Sequence, residues 1–192
     1  MRIVRFALSM IGYRGLGRHG KATAFRYAEL IIPLDGTLDS GRRNALACPM
    51  PLLTGVGRAY LAFCPERERE NILQRLRKSD KPDDQLARDQ RRLDRILAET
   101  RQRGYATRDP GFVGGYYGGP PFDDGLAAIA VPLRDKTRVH GSINILWIKT
   151  AFTIEGFAAR HLADLKAAAA EIVDTLPGPT KQSLMRVSSR LP

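Results

Sequence analysis

The sequence has no apolar run of about 18 residues, the length a membrane-spanning helix needs. The apolar opening at Met1 to Tyr13 is interrupted by Arg2 and Arg5, and no small-residue cleavage site follows, so it does not read as a signal peptide. Cysteine is scarce: Cys48 and Cys64 alone provide neither a disulfide framework nor metal-ligand spacing, which points to a reduced, cytoplasmic setting. The three histidines, His19, His140 and His161, stand at no ligand spacing to one another. There is no HExxH, GxSxG, P-loop or paired-cysteine pattern. No catalytic residue, metal ligand or cofactor is therefore expected, and the chain reads as something other than an enzyme. Cys64 sits at a helix start, where a thiol pKa can fall, but no partner for catalysis is evident and a structural role is the stronger reading. Asp123 and Asp124 offer two adjacent carboxylates, but neighbouring residues usually point apart.

Positive charge is plentiful. The net charge is +11 over 192 residues, and it is unevenly spread. Residues 1–47 hold eight Lys/Arg against three Asp/Glu, and 177–192 hold Lys181, Arg186 and Arg190 with no acid. The middle of the chain is left at only +3. Basic ends of this kind are more often solvated than seated in a nucleic-acid groove.

The chain is organised around Gly125 to Ile148, an apolar run, a polar four-residue turn and a second apolar run, which reads as a β-hairpin. Leu126 to Leu133 lacks clean alternation, so burial on both faces is expected. In the second strand Val139, Ile143, Ile145 and Trp147 share a core face. His140, Ser142, Asn144, Leu146 and Ile148 share the other. Small polar groups beside large apolar ones suit a pocket wall. An ordinary half-exposed strand face has the same composition.

In the N-terminal segment, Gly15-Leu-Gly-Arg-His-Gly20 matches a dinucleotide fingerprint with Asp35 downstream. Its helix, near Ala22 to Leu30, would be short, and no alternation of strands and helices follows, so a flexible glycine- and arginine-rich segment is the stronger reading. From Pro51 to Phe63, Thr54 can cap a helix with Val56, Ala59, Tyr60 and Phe63 on one face. Gly55 and Gly57 each cost about 1 kcal/mol there against alanine, which implies close approach to the backbone by a packed strand or a small ligand. Pro65 opens a second helix with Ile72, Leu73 and Leu76 inward. After a polar break, a third is expected from about Asp84 to Arg103, with Gly104 as its stop. Its arginines (Arg88, Arg91, Arg92, Arg95, Arg101, Arg103) read as an ion-paired, solvated face. A short strand follows at Tyr105 to Arg108. A glycine-rich loop then runs from Asp109 to Asp124 and is either a pocket lid or surface padding. Thr153 caps a last helix that should pack across the sheet.

Several of these segments together resemble IclR-type transcriptional regulators. Pro51-Leu-Leu-Thr-Gly-Val-Gly-Arg-Ala-Tyr-Leu-Ala-Phe-Cys-Pro-Glu66 resembles that family's pocket helix, Arg103-Gly-Tyr-Ala-Thr-Arg-Asp109 its next strand, and Gly125 to Leu133 with Arg138 to Ile148 its paired pocket strands. The wording is most similar to regulators that activate aromatic-acid degradation genes, including 3-(3-hydroxyphenyl)propionate regulators. The likeness spans about Leu38 to Leu176.

The resemblance implies an α+β, GAF-like fold: a curved antiparallel sheet flanked by helices. It divides the chain into an irregular basic segment at 1–37 with a strand remnant at 2–6, an effector-binding domain at 38–176, and a basic flexible tail at 177–192. It implies a small organic acid as effector, homo-oligomers, and DNA contact only through a helix-turn-helix module that this sequence does not contain. Gly55 and Val56 would meet the ligand carboxylate through backbone N–H groups. Ala128 stands where relatives often have a cysteine, and Asn144 and Leu146 where they often have serines, which implies a larger, less polar, aromatic acid. Residues 7–37 do not match the family's strands, so a truncated or mis-started product with an incomplete N-terminal sheet is expected. The alternative is a non-functional or oligomerisation-only fragment of such a regulator.

Overall fold

A computed structural model of the chain describes residues 30–31, 52–112 and 123–176. The glycine fingerprint at 15–20, the strand remnant at 2–6, Cys48, the centre of the glycine-rich loop and the basic tail lie outside the described residues. In chain order the elements are β1 (Leu30–Ile31), α1 (Gly55–Phe63), α2 (Glu66–Arg77), a 3-10 helix (Pro82–Arg88), α3 (Gln90–Arg103), β2 (Ala106–Thr107), β3 (Leu126–Arg134), β4 (Val139–Ile148) and α4 (Ile154–Thr175). The expected α+β architecture, an antiparallel sheet flanked by helices, is what the chain adopts.

The expected hairpin supplies the two long central strands. β3 and β4 pair antiparallel from Leu126↔Ile148 to Arg134↔Val139, with an irregularity at Leu133/Arg134. At the turn the Asp135 carboxylate accepts from the backbone N–H groups of Thr137 and Arg138 and from the Thr137 hydroxyl, and it also pairs with His140 Nε2. One short acidic side chain thus closes the loop in the way turn-forming Asp residues do. β2 lies outside β3, pairing Ala106 with Ala130, and β1 lies outside β4, pairing Leu30 with Ile143. The sheet order is β1-β4-β3-β2. Leu30 and Ile31 form a short strand, so the segment read as flexible contributes to the sheet.

The two faces of the sheet bury different things. On one, Ile129, Val131, Leu133, Ile143 and Trp147 pack with Phe157, Leu165 and Ala169 of α4. The Trp147 and Phe157 rings stack at 3.8 Å between centroids, and the indole N–H donates to the Phe152 carbonyl at 3.2 Å. Thr153 caps α4 as expected, accepting from the Gly156 N–H. Half-buried His161 lies with its ring centroid 4.5 Å from that of Phe157.

On the other face sits α1, with every residue from Gly55 to Ala62 buried. Behind it Leu52, Leu61 and Ala62 meet Leu73, Ala87, Leu93 and Leu97 of the outer helical layer, a second core. The expected third helix is divided here. A 3-10 turn ends at Arg88, and α3 starts afresh because Asp89 accepts from the Arg92 N–H at 3.0 Å as an N-cap. Gly104 ends α3 in the left-handed region at φ 76°.

The arginines of α3 and the turn before it lie on an exposed face as expected, and several of them also bind carbonyls. Arg101 Nε donates to Ala62 O at 2.6 Å, tying α3 to the end of α1. Arg88 reaches Arg77 O and Ser79 O at the end of α2. Arg103 donates to Tyr105 O and the Thr107 hydroxyl. Exposed carbonyls at helix ends need donors, and guanidinium forks provide several from one side chain.

Candidate functional site

The site begins at the N-terminus of α1. Thr54 Oγ1 accepts from the Gly57 N–H at 3.2 Å and fixes the first turn. Gly55 faces the sheet at close range: a methyl group added there would lie 3.3 Å from Ala130 Cβ and 3.6 Å from the Arg108 backbone nitrogen. The close approach expected at this glycine is therefore made by packed strands. Ser142 Oγ donates to the Val56 carbonyl at 2.6 Å, so β4 also holds the helix directly. The Val56 side chain joins Ala59, Ala106 and Ala130 in a small buried cluster.

Ala128, Asn144 and Leu146 lie on this same wall. Ala128 pairs with Leu146 across the ladder, and Ala130 pairs with Asn144. All three named positions are buried, and so is Ser142. The face read as half-exposed in sequence is thus covered by α1. The structure brings Gly55, Val56, Ala128, Asn144 and Leu146 to one helix–sheet interface. The small residues of β2 and β3, Ala106, Ala128 and Ala130, are what let a helix approach so closely.

Two arginine–aspartate pairs flank this interface, and sequence reasoning did not single them out. Arg58, buried in α1, donates from Nε to Leu52 O at 2.6 Å, from Nη1 to Thr107 O at 3.4 Å and from Nη2 to Asp109. Arg92 adds a second cation 3.8 Å from Asp109. The Asp109 backbone N–H donates to Leu53 O at 2.9 Å, closing a loop of contacts from the start of α1 to the end of β2. Burial lowers the Arg58 pKa from its usual value and Asp109 opposes that shift, yet a guanidinium keeps its proton at any ordinary pH. The second pair is Arg108 with Asp124 at 2.6 Å. Arg108 also donates to Leu126 O, and its guanidinium carbon lies 4.2 Å from the Phe112 ring centroid. A buried charge must be paired, so an arginine inside the apolar stretch Gly-Val-Gly-Arg-Ala-Tyr-Leu-Ala-Phe was a signal that an acidic partner lay elsewhere in the chain.

The other chemical candidates resolve into structural roles. Cys64 is buried, and burial with the nearby Glu68 carboxylate pushes its thiol up to about 12, the opposite of a reactive cysteine. Asp123 and Asp124 do not act as a pair: Asp123 binds Lys149 and the Gly125 N–H, whereas Asp124 binds Arg108 and the Leu126 N–H. Among the described residues no group of three or more His, Cys, Asp or Glu could hold a metal ion. No helix among them is long and apolar enough to cross a membrane. A groove of about 370 Å³ lies between α2 and α3, lined by charged residues over Leu73 and Leu97, on the far side of α1's packing partners from the sheet.

No family model matches the sequence. Among solved structures the chain is similar to an IclR family transcriptional regulator from Brucella abortus, at 24% identity and a TM-score of 0.47, over 66% of this chain and 44% of that one. It is similar to the Thermotoga maritima IclR at 26% identity and a TM-score of 0.46, over 66% and 47%. A double mutant of the PobR transcription factor inducer-binding domain from Acinetobacter, solved with 3-hydroxybenzoic acid, aligns at 15% identity and a TM-score of 0.46, over 66% of each chain. The chain spans less than half the length of the first two.

Proposed function

We propose that this chain is a ligand-sensing domain of an IclR-type transcriptional regulator and binds a small organic acid, most suitably an aromatic one. One observation carries the reading: the glycine start of α1 is seated on Ala130 and the β2 backbone, with Ser142 holding Val56, and Ala130 pairs with Asn144 beside the Ala128–Leu146 pair. These are the segments whose sequence resembles the family's pocket helix and pocket strands. A helix N-terminus offers N–H groups and the positive end of a dipole to a carboxylate. Ala128 and Leu146 add apolar wall without hydroxyl donors, which suits a ring better than a short keto acid. Regulation would be allosteric, ligand binding biasing an oligomeric arrangement, and DNA would be reached through a helix-turn-helix module joined to or assembled with this domain.

A thermal-shift screen with benzoates, hydroxyphenylpropionates and short keto acids tests this. Stabilisation by the aromatic acids is the expected result, since a ligand at about 100 times its Kd adds about 2.7 kcal/mol to folding stability. No shift with any acid would sink the reading.

A further inference from the structure

Three buried side-chain polar atoms among the described residues have no hydrogen-bond partner: Asp84 Oδ1, Thr100 Oγ1 and Arg108 Nε. The first two belong to the helical layer, in the 3-10 helix and α3. Arg108 is different, because it is a permanent cation and it lies at the sheet wall just described. Its side chain is only 7% exposed. Nη1 donates to Leu126 O at 3.2 Å and Nη2 to Asp124 at 2.6 Å, while Nε–H has no acceptor. A guanidinium is built to donate along a whole edge, and a buried Nε–H without an acceptor is costly.

Position makes that donor specific. Ala106 packs with Val56, Ala59 and Ala130, on the α1 side of the sheet. Arg108 is two residues further along and shares that side by strand alternation. Its backbone N–H donates to Ala128 O at 3.4 Å, and Ala128 in turn pairs with Leu146. The same backbone nitrogen is 3.6 Å from where a Gly55 Cβ would lie. The backbone of Arg108 is therefore contiguous with the glycine helix start and the Ala128–Leu146 pair, and its guanidinium lies against Leu126 O, Asp124 and the Phe112 ring. Among the described residues the cations Arg58, Arg92 and Arg108 pair with Asp109 and Asp124, three positive charges against two negative.

We propose that Arg108 recognises the carboxylate of the acid ligand, with Asp124 as the internal counter-ion against which that carboxylate competes. The proposal rests on the effector-binding reading above. It assigns selectivity for acids over neutral isosteres to one side chain, with Ala128 and Leu146 selecting the body of the ligand. Asp124 sets affinity from within: it holds Arg108 in place and takes up one of its donors.

The test is calorimetric titration of the whole chain with benzoate, 3-(3-hydroxyphenyl)propionate and pyruvate, and with the primary amide of whichever acid binds tightest. The wild type should prefer the acid to its amide. Arg108→Gln should lose about tenfold or more in affinity for the acid while amide binding stays within about twofold. Asp124→Asn, which retains an oxygen for the Leu126 N–H, should tighten acid binding about threefold or more by removing the competitor. Acid affinity unchanged in R108Q would overturn the role of Arg108 yet leave the effector reading standing. Should R108Q fail to fold, D124N decides, with unchanged or weaker acid binding overturning the proposal. A wild type that binds none of the three acids sinks the effector reading and this proposal with it.

Discussion

Arg58 stands in a helix whose other buried members are glycine, valine, alanine, tyrosine and leucine, and it reaches two carbonyls and a carboxylate. Replacing it by methionine keeps much of the volume but takes the buried cation from Asp109, whose side chain is only 11% exposed, and leaves it the more exposed Arg92 at 3.8 Å and the Gly111 N–H. Breaking one side of such a pair costs about 3–5 kcal/mol, and Arg58→Met should lower stability by that order in urea titrations. A double variant, Arg58→Met with Asp109→Asn, should recover part of the loss. Cys64 gives a pH prediction. Its folded thiol pKa is raised from 9.0 to about 12. A raised folded value contributes stability that is complete below pH 9 and is lost as pH climbs toward 12, because the unfolded thiol ionises first. Cys64→Ala should therefore flatten the alkaline limb of the Tm–pH curve between those values, and the native thiol should resist alkylation at pH 8 until the chain unfolds. At this scale the sequence was partly legible. Thr54, Thr153 and Gly104 fill the capping roles expected of them, because caps are local. Arg58 with Asp109 and Arg108 with Asp124 were not legible as pairs. Each joins residues that local patterning does not relate, 51 and 16 positions apart.

Among the elements, the hairpin and α4 followed their patterns closely. The apolar spacing of Phe157, Leu162, Leu165, Ala169, Ile172, Val173 and Leu176 predicts a helix lying on the sheet; Phe157, Leu165 and Ala169 are buried there together with Ala158, and the other four are half-buried. Phe157 stacks on Trp147 and also meets the ring of Phe152. Phe157→Ala should cost about 3–5 kcal/mol, read from equilibrium unfolding, and should shift the emission of the single tryptophan as its ring partner is lost. The third helix was misjudged in extent because Leu86, Leu93, Ile96 and Leu97 keep a helical spacing across Asp89. Periodicity does not register that an aspartate within it prefers to cap a new turn. The polar face of β4 was ambiguous for a related reason: the alternation shows which residues share a side but not what covers them.

For the molecule as a whole, the layers run α4, sheet, α1, then α2 with the 3-10 helix and α3. Trp147 reports the α4 side, and far-UV circular dichroism is weighted toward the helices, three of which lie on the other side. α1 meets the sheet through Val56 and Ala59 and the outer helices through Leu61 and Ala62, and Arg58 and Arg101 tie it to β2 and α3. The two probes should therefore give coincident thermal transitions, as a single cooperative unit requires. A separate early loss of helical signal would show that the outer layer unfolds alone. The architecture as a class was legible because strand and helix periods differ. β1 was not, since two residues leave almost no pattern to read.

The brevity of β2 has a consequence for solubility. Among the described residues the sheet ends on that side in a two-residue strand, entered from the left-handed Gly104 and left at Arg108, whose N–H still turns inward to Ala128. Amyloid-like growth needs a long, straight row of unpaired backbone groups to template an incoming strand. This border offers too few, so lengthening β2, for example by replacing Gly104 with a β-branched residue that favours extended backbone, would turn a protected margin into a nucleus for aggregation.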